Sequence, residues 1–230
     1  MRIKIIIIIT IILAVVAVAI VLGFSFIQSL ENRTKANVNE SPVSLEITNL
    51  TDSSATIIWK TTDNTSGKVN LYGADGKSTM VLDERDTSAN ADTNKRKIHL
   101  VTIKNLIAAT KYTFTITDNA TEYFNNTQRW NFTTLQTPSS PLVPKPIFGQ
   151  ANVDSGGTAG ILIKLVAKTK TGVESLVLSS LSTDNGTYSF DLSSLRTKNG
   201  ELLNLDSSDQ LIVNMSNESN KQAQITANIK

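Results

Sequence analysis

The chain contains no cysteine and only one histidine among its 230 residues. Without thiols it has no disulfide bonds, thiolate metal sites or cysteine nucleophiles. A single imidazole excludes multi-histidine metal centres and makes any serine hydrolase triad depend on His99. The sequence therefore offers little for covalent or metal-dependent catalysis, and we expect no cofactor and no enzyme activity.

The chain also lacks an excess of either charge. Its 22 Lys and Arg face 20 Asp and Glu, and Arg2 and Lys4 lie at the extreme N-terminus, so the remainder is formally neutral. No basic patch is indicated, and we expect no nucleic-acid partner. Abundant Asn, Ser and Thr suit strands and turns better than helices.

One long uncharged run stands out, from Ile5 to Ile27. At about 1.5 Å per residue, a helix of this length crosses a hydrocarbon core of roughly 30 Å. The run predicts a single-pass membrane anchor with the C-terminal part outside the cell. The alternative is a cleaved signal peptide and a secreted protein, because Arg2 and Lys4 form a basic n-region. The apolar run is, however, longer than a signal core needs.

Two segments divide the rest of the chain. Residues 28–41 are polar without apolar periodicity, which is typical of a stalk. Four of the five prolines fall between Pro138 and Pro146, which predicts an extended spacer with few contacts between its two sides. The predicted domains are an anchor or signal segment at 1–27, a stalk at 28–41, a β-sandwich at 42–137, a linker at 138–145 and a second β-sandwich at 146–230.

Short alternating apolar runs between turn signals predict an all-β fold with two tandem sandwiches. The strands predicted in the first sandwich are 43–50, 55–61, 67–72, 79–83, 97–103, 111–117 and 128–134. Those predicted in the second are 160–168, 174–182, 187–192, 210–216 and 222–229.

The first sandwich resembles a fibronectin type III domain. Residues 54–59, SATIIW, are similar to the family's second strand with its core tryptophan, Trp59. Leu106, Thr110 and Tyr112 follow in the order of the family's L-x-x-x-T-x-Y signature, although Ala108-Ala109 replaces the usual Pro-Gly. Residues 71–73 and 99–103 look most like the variant of this domain that lies at the N-terminus of purple acid phosphatases. The resemblance implies core roles for Trp59, Leu106 and Tyr112, with the tyrosine hydroxyl bonded to upstream backbone.

The second sandwich resembles carboxypeptidase-regulatory-like and Cna-B-like modules, which have a prealbumin-like fold. The similarity lies in residues 183–190, TDNGTYSF. Asn185-Gly186 is the favoured dipeptide of a type I′ hairpin turn. Tyr188 and Phe190 alternate onto one face of the next strand, which predicts that both belong to the core.

Candidate functional residues are few. His99 shares a strand face with Val101 and Ile103, so a buried structural ring is favoured over a catalytic base. Trp130 is the possible ligand contact, as a stacking platform for sugars, but it alternates with Phe132 and packing is the alternative. The polar loop 83–96 is either a binding loop or a solvated connection. Asp206 and Asp209 lack the spacing of an EF-hand, so no metal site is predicted.

The sequence thus indicates a membrane-anchored, non-catalytic extracellular surface protein for adhesion, scaffolding or envelope assembly. Its expected partner is a protein or glycan at the cell surface. The alternatives are a carbohydrate-binding module protein and an accessory subunit of an envelope enzyme or secretion apparatus. An exposed Trp130 favours the first alternative, and an exposed apolar strand edge favours the second.

Overall fold

The computed structural model describes residues 42–73, 76–118, 121–153 and 158–229. The predicted anchor at 1–27 and stalk at 28–41 lie outside this range. No helix among the described residues is both long enough and apolar enough to span a bilayer. Residues Asn39–Lys230 form one compact unit, which contains every strand described below.

The first half of this unit is a sandwich of two antiparallel sheets. Its strands are β1 Ser44–Thr48, β2 Ala55–Thr65, β3 Lys68–Tyr72, β4 Ser78–Leu82, β5 Arg96–Ile103, β6 Lys111–Asp118, β7 Thr121–Tyr123 and β8 Trp130–Thr133. Strands β1, β2 and β5 form a three-stranded sheet, and β3, β4, β6, β7 and β8 form a five-stranded sheet in which both β7 and β8 pair with β6.

The second half contains the strands β9 Pro146–Gln150, β10 Leu162–Lys168, β11 Leu178–Leu181, β12 Thr187–Asp191, β13 Gln210–Ser216 and β14 Gln222–Asn228. They form a four-stranded sheet in the order β11-β10-β13-β14 and a two-stranded sheet of β9 and β12. A single 3-10 turn, Leu192–Ser194, follows β12 in the part of the chain that the structure describes.

Most predicted strands are present, and the differences have local causes. Strand β2 continues to Thr65 through an irregularity in its register with β5. The predicted strand 174–182 is paired as a strand only over Leu178–Leu181, with isolated bridges at Glu174 and Ser175. Strand β7 is three residues long and was not predicted, because residues 121–123 are too few to show alternation.

The Asn185-Gly186 turn differs from the predicted type I′ hairpin. That turn needs positive φ at both central residues, whereas Gly186 has φ 82° and Asn185 is not among the residues with positive φ. The Asn185 side chain instead accepts hydrogen bonds from Thr183 and Thr187 within the turn. Strand β12 then pairs with β9 rather than with the strand before the turn.

The two sandwiches are in contact, in contrast to the expectation from the proline-rich segment. Residues of even number on β2 and β5 point away from the first core, and they face the outer side of β10 and β11. This explains why β2 is buried at five consecutive positions, Ala55–Trp59. A strand covered on both faces has no solvent side and reads as a continuous apolar run.

The interface combines a small apolar cluster with a polar rim. The apolar cluster consists of Ile58, Ile98, Leu100 and Leu162, with Leu181 packed against it. At the rim, the Thr48 and Ser179 hydroxyls lie 2.6 Å apart, and Lys164 forms an ion pair of 2.9 Å with Glu46.

Candidate functional site

His99 is the only side chain of the sequence with an ordinary pKa near neutrality, and it is buried. Its side chain is 0 % exposed and stacks on Trp59, with ring centroids 4.7 Å apart and an interplanar angle of 11°. Its Nε2 lies 3.0 Å from the Thr65 hydroxyl. Burial lowers the pKa of His99 to about 4, so the ring is neutral at pH 7.

A glycine fixes this arrangement. A Cβ atom at Gly67 would lie 2.5 Å from the Trp59 ring and 2.6 Å from Nδ1 of His99, so no larger residue fits without displacing both rings. A general base must come within hydrogen-bond reach of its substrate. In the described structure the His99 ring is enclosed in the core of the first sandwich, between Trp59 and Thr65.

Several charged side chains of loop 83–96, the candidate binding loop, are paired within the loop. Asp83 is buried and accepts hydrogen bonds from the Arg85 guanidinium, at 2.8 and 2.9 Å, and from the Leu100 N–H, at 2.8 Å. Burial raises the pKa of Asp83, but the bonds and charge of Arg85 outweigh it and hold the pKa below its ordinary value.

Arg96 joins the end of the same loop to Asp86 near its start. Both oxygens of Asp86 accept bonds of 2.8 Å from the Arg96 guanidinium, the bidentate geometry that makes Arg–carboxylate pairs strong. The hydrogen bond from Arg96 to Asp86 is the main reason why the pKa of Arg96 is raised. Four charged side chains of the loop, Asp83, Arg85, Asp86 and Arg96, are therefore paired with one another.

Trp130 is half-buried on β8 and lies opposite Phe114 of β6. The two rings stack with centroids 5.8 Å apart and an interplanar angle of 23°. One face of the indole is thus covered by the core, which reduces the area that a sugar ring could stack on.

Tyr72 is an aromatic residue on the outer side of the five-stranded sheet. The Arg129 guanidinium lies 3.4 Å from the centroid of the Tyr72 ring, a cation–π contact. The Tyr72 hydroxyl donates to Glu122 Oε1 at 3.2 Å, and the Thr115 hydroxyl donates to the same oxygen at 2.5 Å. Arg129 thus covers one face of the Tyr72 ring, and the Tyr72 hydroxyl is bonded to Glu122.

An open polar cleft of about 400 Å³ lies between the two sandwiches. Lys60 Nζ donates to the Ser216 hydroxyl at 3.1 Å, and Lys164 forms the other cationic wall. Partial burial and then the charge of Lys164 lower the pKa of Lys60. The remaining lining is uncharged and includes Asn214, Gln222 and Gln224.

The five residues that the sequence predicts to be in the core are buried or half-buried. Trp59, Leu106, Tyr112 and Phe190 are buried, while Tyr188 is half-buried beside Phe190 and its ring covers Gly149. The Tyr112 hydroxyl accepts a bond of 2.9 Å from the Ile107 N–H, as the fibronectin type III resemblance implies. Within the described residues, no group of three or more His, Cys, Asp or Glu could hold a metal ion.

The sequence alone did not predict the contacts between the two sandwiches, and the most important of these contacts are made by Asn49. The Ser179 N–H donates to Asn49 Oδ1 at 2.8 Å, and Asn49 Nδ2 donates to the Ser179 carbonyl at 2.9 Å. The adjacent isoleucines Ile57 and Ile58 were the available signal, because they break the alternation expected of a strand with one solvent face.

The family model that matches this chain covers its first half, whereas the similar solved structures extend over most of the chain. Residues 41–134 match the family model of the purple acid phosphatase N-terminal domain. A two-domain fibronectin type III segment of chicken tenascin is 13% identical over 82% of this chain and 98% of its own, with a TM-score of 0.27. The central fibronectin III array of RIM-binding protein is 15% identical over 85% of this chain and 66% of its own, with a TM-score of 0.28. None of the curated proteins matches the sequence.

The family match bears out the resemblance predicted for the first half of the chain, and it ends before the second sandwich begins. The tyrosine corner and the two facing sheets agree with it. Residues 41–134 therefore have a fibronectin type III-like fold, similar to the N-terminal domain of purple acid phosphatases.

Proposed function

We propose that this protein is a non-catalytic scaffold at the cell surface, held by an N-terminal anchor at 5–27, whose two sandwiches act as one rigid body in adhesion or envelope assembly. The observation that carries the proposal is the interface between the sandwiches. Leu162 is 2% exposed and packs on Ile58 and Leu100 of the first sandwich rather than on its own core. A flexible linker between independent modules would leave that side chain in water.

Hydrogen bonds at the rim fix the relative orientation. Asn49 bonds both backbone groups of Ser179, and its own N–H donates to the Val177 carbonyl at 3.0 Å. Directional bonds around an apolar centre define one geometry, which sliding of the two sheets would break. A rigid body of this kind suits presentation of a partner at a set position.

Several further observations support the finer parts of the proposal. The uncharged run 5–27 supports a membrane anchor over a cleaved signal peptide. The four-stranded and two-stranded sheets of the second half, with Tyr188 and Phe190 on one strand, support a prealbumin-like module. The absence of cysteine from the sequence and the burial of the only histidine support a protein without catalytic activity.

The carbohydrate-binding alternative depended on an exposed Trp130. One face of that ring is covered by Phe114, and one face of the Tyr72 ring is covered by Arg129, so both rings offer less area for stacking than an uncovered aromatic ring. We therefore favour a protein partner over a glycan.

The proposal is tested on the full-length protein in membranes. The absence of native cysteine allows one spin label in each sandwich, at Met80→Cys and Phe148→Cys, two side chains that are 57% and 79% exposed. We expect a narrow distribution of distances between the labels and a broad one when Leu162→Asp is added.

The same preparation tests the anchor and the lack of catalysis. The protein should stay in the membrane fraction through carbonate washing, and hydrolase assays with and without divalent metals should show no turnover. A broad label distribution in the otherwise unaltered chain contradicts the rigid scaffold. Release by carbonate contradicts the anchor, and turnover that His99→Gln abolishes contradicts the non-catalytic assignment.

A further inference from the structure

The four-stranded sheet of the second sandwich has two edges, and only one is covered. At the β11 edge, Asn49 of the first sandwich bonds Ser179 and Val177 much as another strand would. At the other edge, no described residue pairs with the outer side of β14. A strand edge with unpaired N–H and C=O groups is a template for another strand.

Strand β14 also lacks the usual protection of an edge. Its sequence, QAQITAN, contains no charge, proline or glycine, and every side chain except Ala223 is exposed. Proteins that stay monomeric place lysine, proline or a bulge on such edges. A regular, uncharged edge strand of seven residues therefore points to a partner.

The hairpin between β13 and β14 shows which backbone groups are free. Asn217 N–H bonds the Lys221 carbonyl, and at the far end Ile229 N–H bonds the Asp209 carbonyl. In an antiparallel pair the bonded residues alternate, so the odd-numbered residues of β14 bond β13. The free N–H and C=O groups are those of Gln222, Gln224, Thr226 and Asn228.

We propose that β14 pairs antiparallel with β14 of a second copy of this chain, around a two-fold axis at Ile225. In this register Gln222 faces Asn228 of the second copy, and Gln224 faces Thr226. Even-numbered residues meet even-numbered ones, so every free backbone group on one edge meets a free group on the other. The sequence of β14 also reads almost the same in both directions from Ile225, so similar side chains meet across the axis.

The side chains fit the same register on both faces. On the core side, Ala223 faces Ala227 and Ile225 faces its own copy. Ile225 is 48% exposed in the single chain, and a non-hydrogen-bonded pair at the axis brings its two side chains into contact. On the other side amides and a hydroxyl meet, and no like charges oppose each other.

The geometry suits two chains in one membrane, and in this respect the inference rests on the proposed function. A two-fold axis normal to the joined sheet places both first sandwiches, which begin at residue 42, on the same side of that sheet. The cleft beside Lys60 leaves the polar face of β14 open there. One strand pair is a small interface, but confinement to a membrane raises the effective concentration of the partner.

Disulfide crosslinking of the full-length protein in membranes tests the pairing. A non-hydrogen-bonded antiparallel pair has the Cα separation that a disulfide needs. Ile225→Cys should therefore form a crosslinked dimer at least about tenfold faster than the matched edge variant Gln222→Cys. In that control the two introduced thiols would lie about 20 Å apart, since six residues separate them along the paired strands.

A second variant separates pairing from folding. Thr226→Pro removes an N–H that points to the free edge, and proline is tolerated on edge strands. Added to Ile225→Cys, it should reduce the crosslinking rate about tenfold while circular dichroism stays unchanged. Equal crosslinking of Ile225→Cys and Gln222→Cys, or no effect of Thr226→Pro, overturns the proposal. So does a crosslinked product with a different protein in place of the dimer.

Failure of the strand pairing can be distinguished from failure of the proposed function. If carbonate washing releases the protein, the anchor is wrong, and the same crosslinking is then measured on the released protein at increasing concentration. Rapid crosslinking of Ile225→Cys alone still supports the strand pairing in that case, and its absence at every concentration overturns it.

Discussion

Single residues carry much of the conformational specificity of this chain, and Ala109 shows it most directly. The fibronectin type III pattern has glycine at this position, and Ala109 adopts φ 50°, a left-handed conformation that side chains disfavour. Its N–H still bonds the Leu135 carbonyl at 3.0 Å, so the turn is maintained in spite of the unfavourable φ.

We expect Ala109→Gly to raise the free energy of unfolding by about 0.5–1 kcal/mol. Relief of the left-handed conformation outweighs the larger backbone entropy of glycine in the unfolded chain. The neighbouring Ala108→Gly is the control, because Ala108 is not among the residues with positive φ and the substitution should only destabilise. Urea unfolding measures both. If both variants are stabilised, or neither is, then the left-handed conformation of Ala109 does not cost the folded chain free energy.

The buried histidine predicts a pH dependence of stability. The folded-state pKa of His99 is about 4, below its ordinary value of 6.5. Between these values the unfolded chain binds a proton that the folded chain does not, so stability is lost as pH falls from 6.5 towards 4. The shift corresponds to about 3 kcal/mol. The stability of the unaltered chain relative to His99→Gln should decrease by this order between pH 7 and pH 4, and a constant difference would show that the ring is not buried.

At the scale of strands, Asn49 acts as the cover of the β11 edge. Asn49→Gly retains a residue that tolerates φ 47° but removes the bonds to both backbone groups of Ser179. The variant should lose about 1–3 kcal/mol, because Ser179 is buried and its polar groups lose their partners. Asn105→Gly is the matched control, since Asn105 has φ 60° and is exposed. Equal losses in the two variants would assign the effect to backbone entropy and not to the bonds.

The strands themselves could be predicted from the sequence, because most bury one face and alternate. Tyr112, Phe114 and Ile116 gave both the position and the inward face of β6. The contacts of Asn49 could not be predicted, since Thr48-Asn49-Leu50 is an ordinary strand end and its partner Ser179 lies 130 positions away. The half-buried position of Trp130 likewise depends on Phe114 across the sheet, which local sequence does not show.

At the scale of the whole molecule, the question is whether the two sandwiches unfold together. Proline-rich segments are typical of independent modules, but here Ile58 and Leu100 lose their cover if the second sandwich unfolds. Exposing such side chains costs free energy in proportion to their apolar area, so unfolding of one sandwich should destabilise the other. We therefore expect one cooperative thermal transition for Asn39–Lys230 within the full-length protein.

Leu162→Asp should divide this transition in two. The side chain points to the first sandwich and not to the core of its own module, so the carboxylate disrupts the interface while each core stays intact. Differential scanning calorimetry should show a single peak for the unaltered chain and two for the variant. Ile107→Asp, at a side chain 69% exposed, is the control and should retain one peak. Two resolved peaks in the unaltered chain would mean that the interface is too weak to couple the sandwiches, and the rigid scaffold would then give way to two modules on a linker.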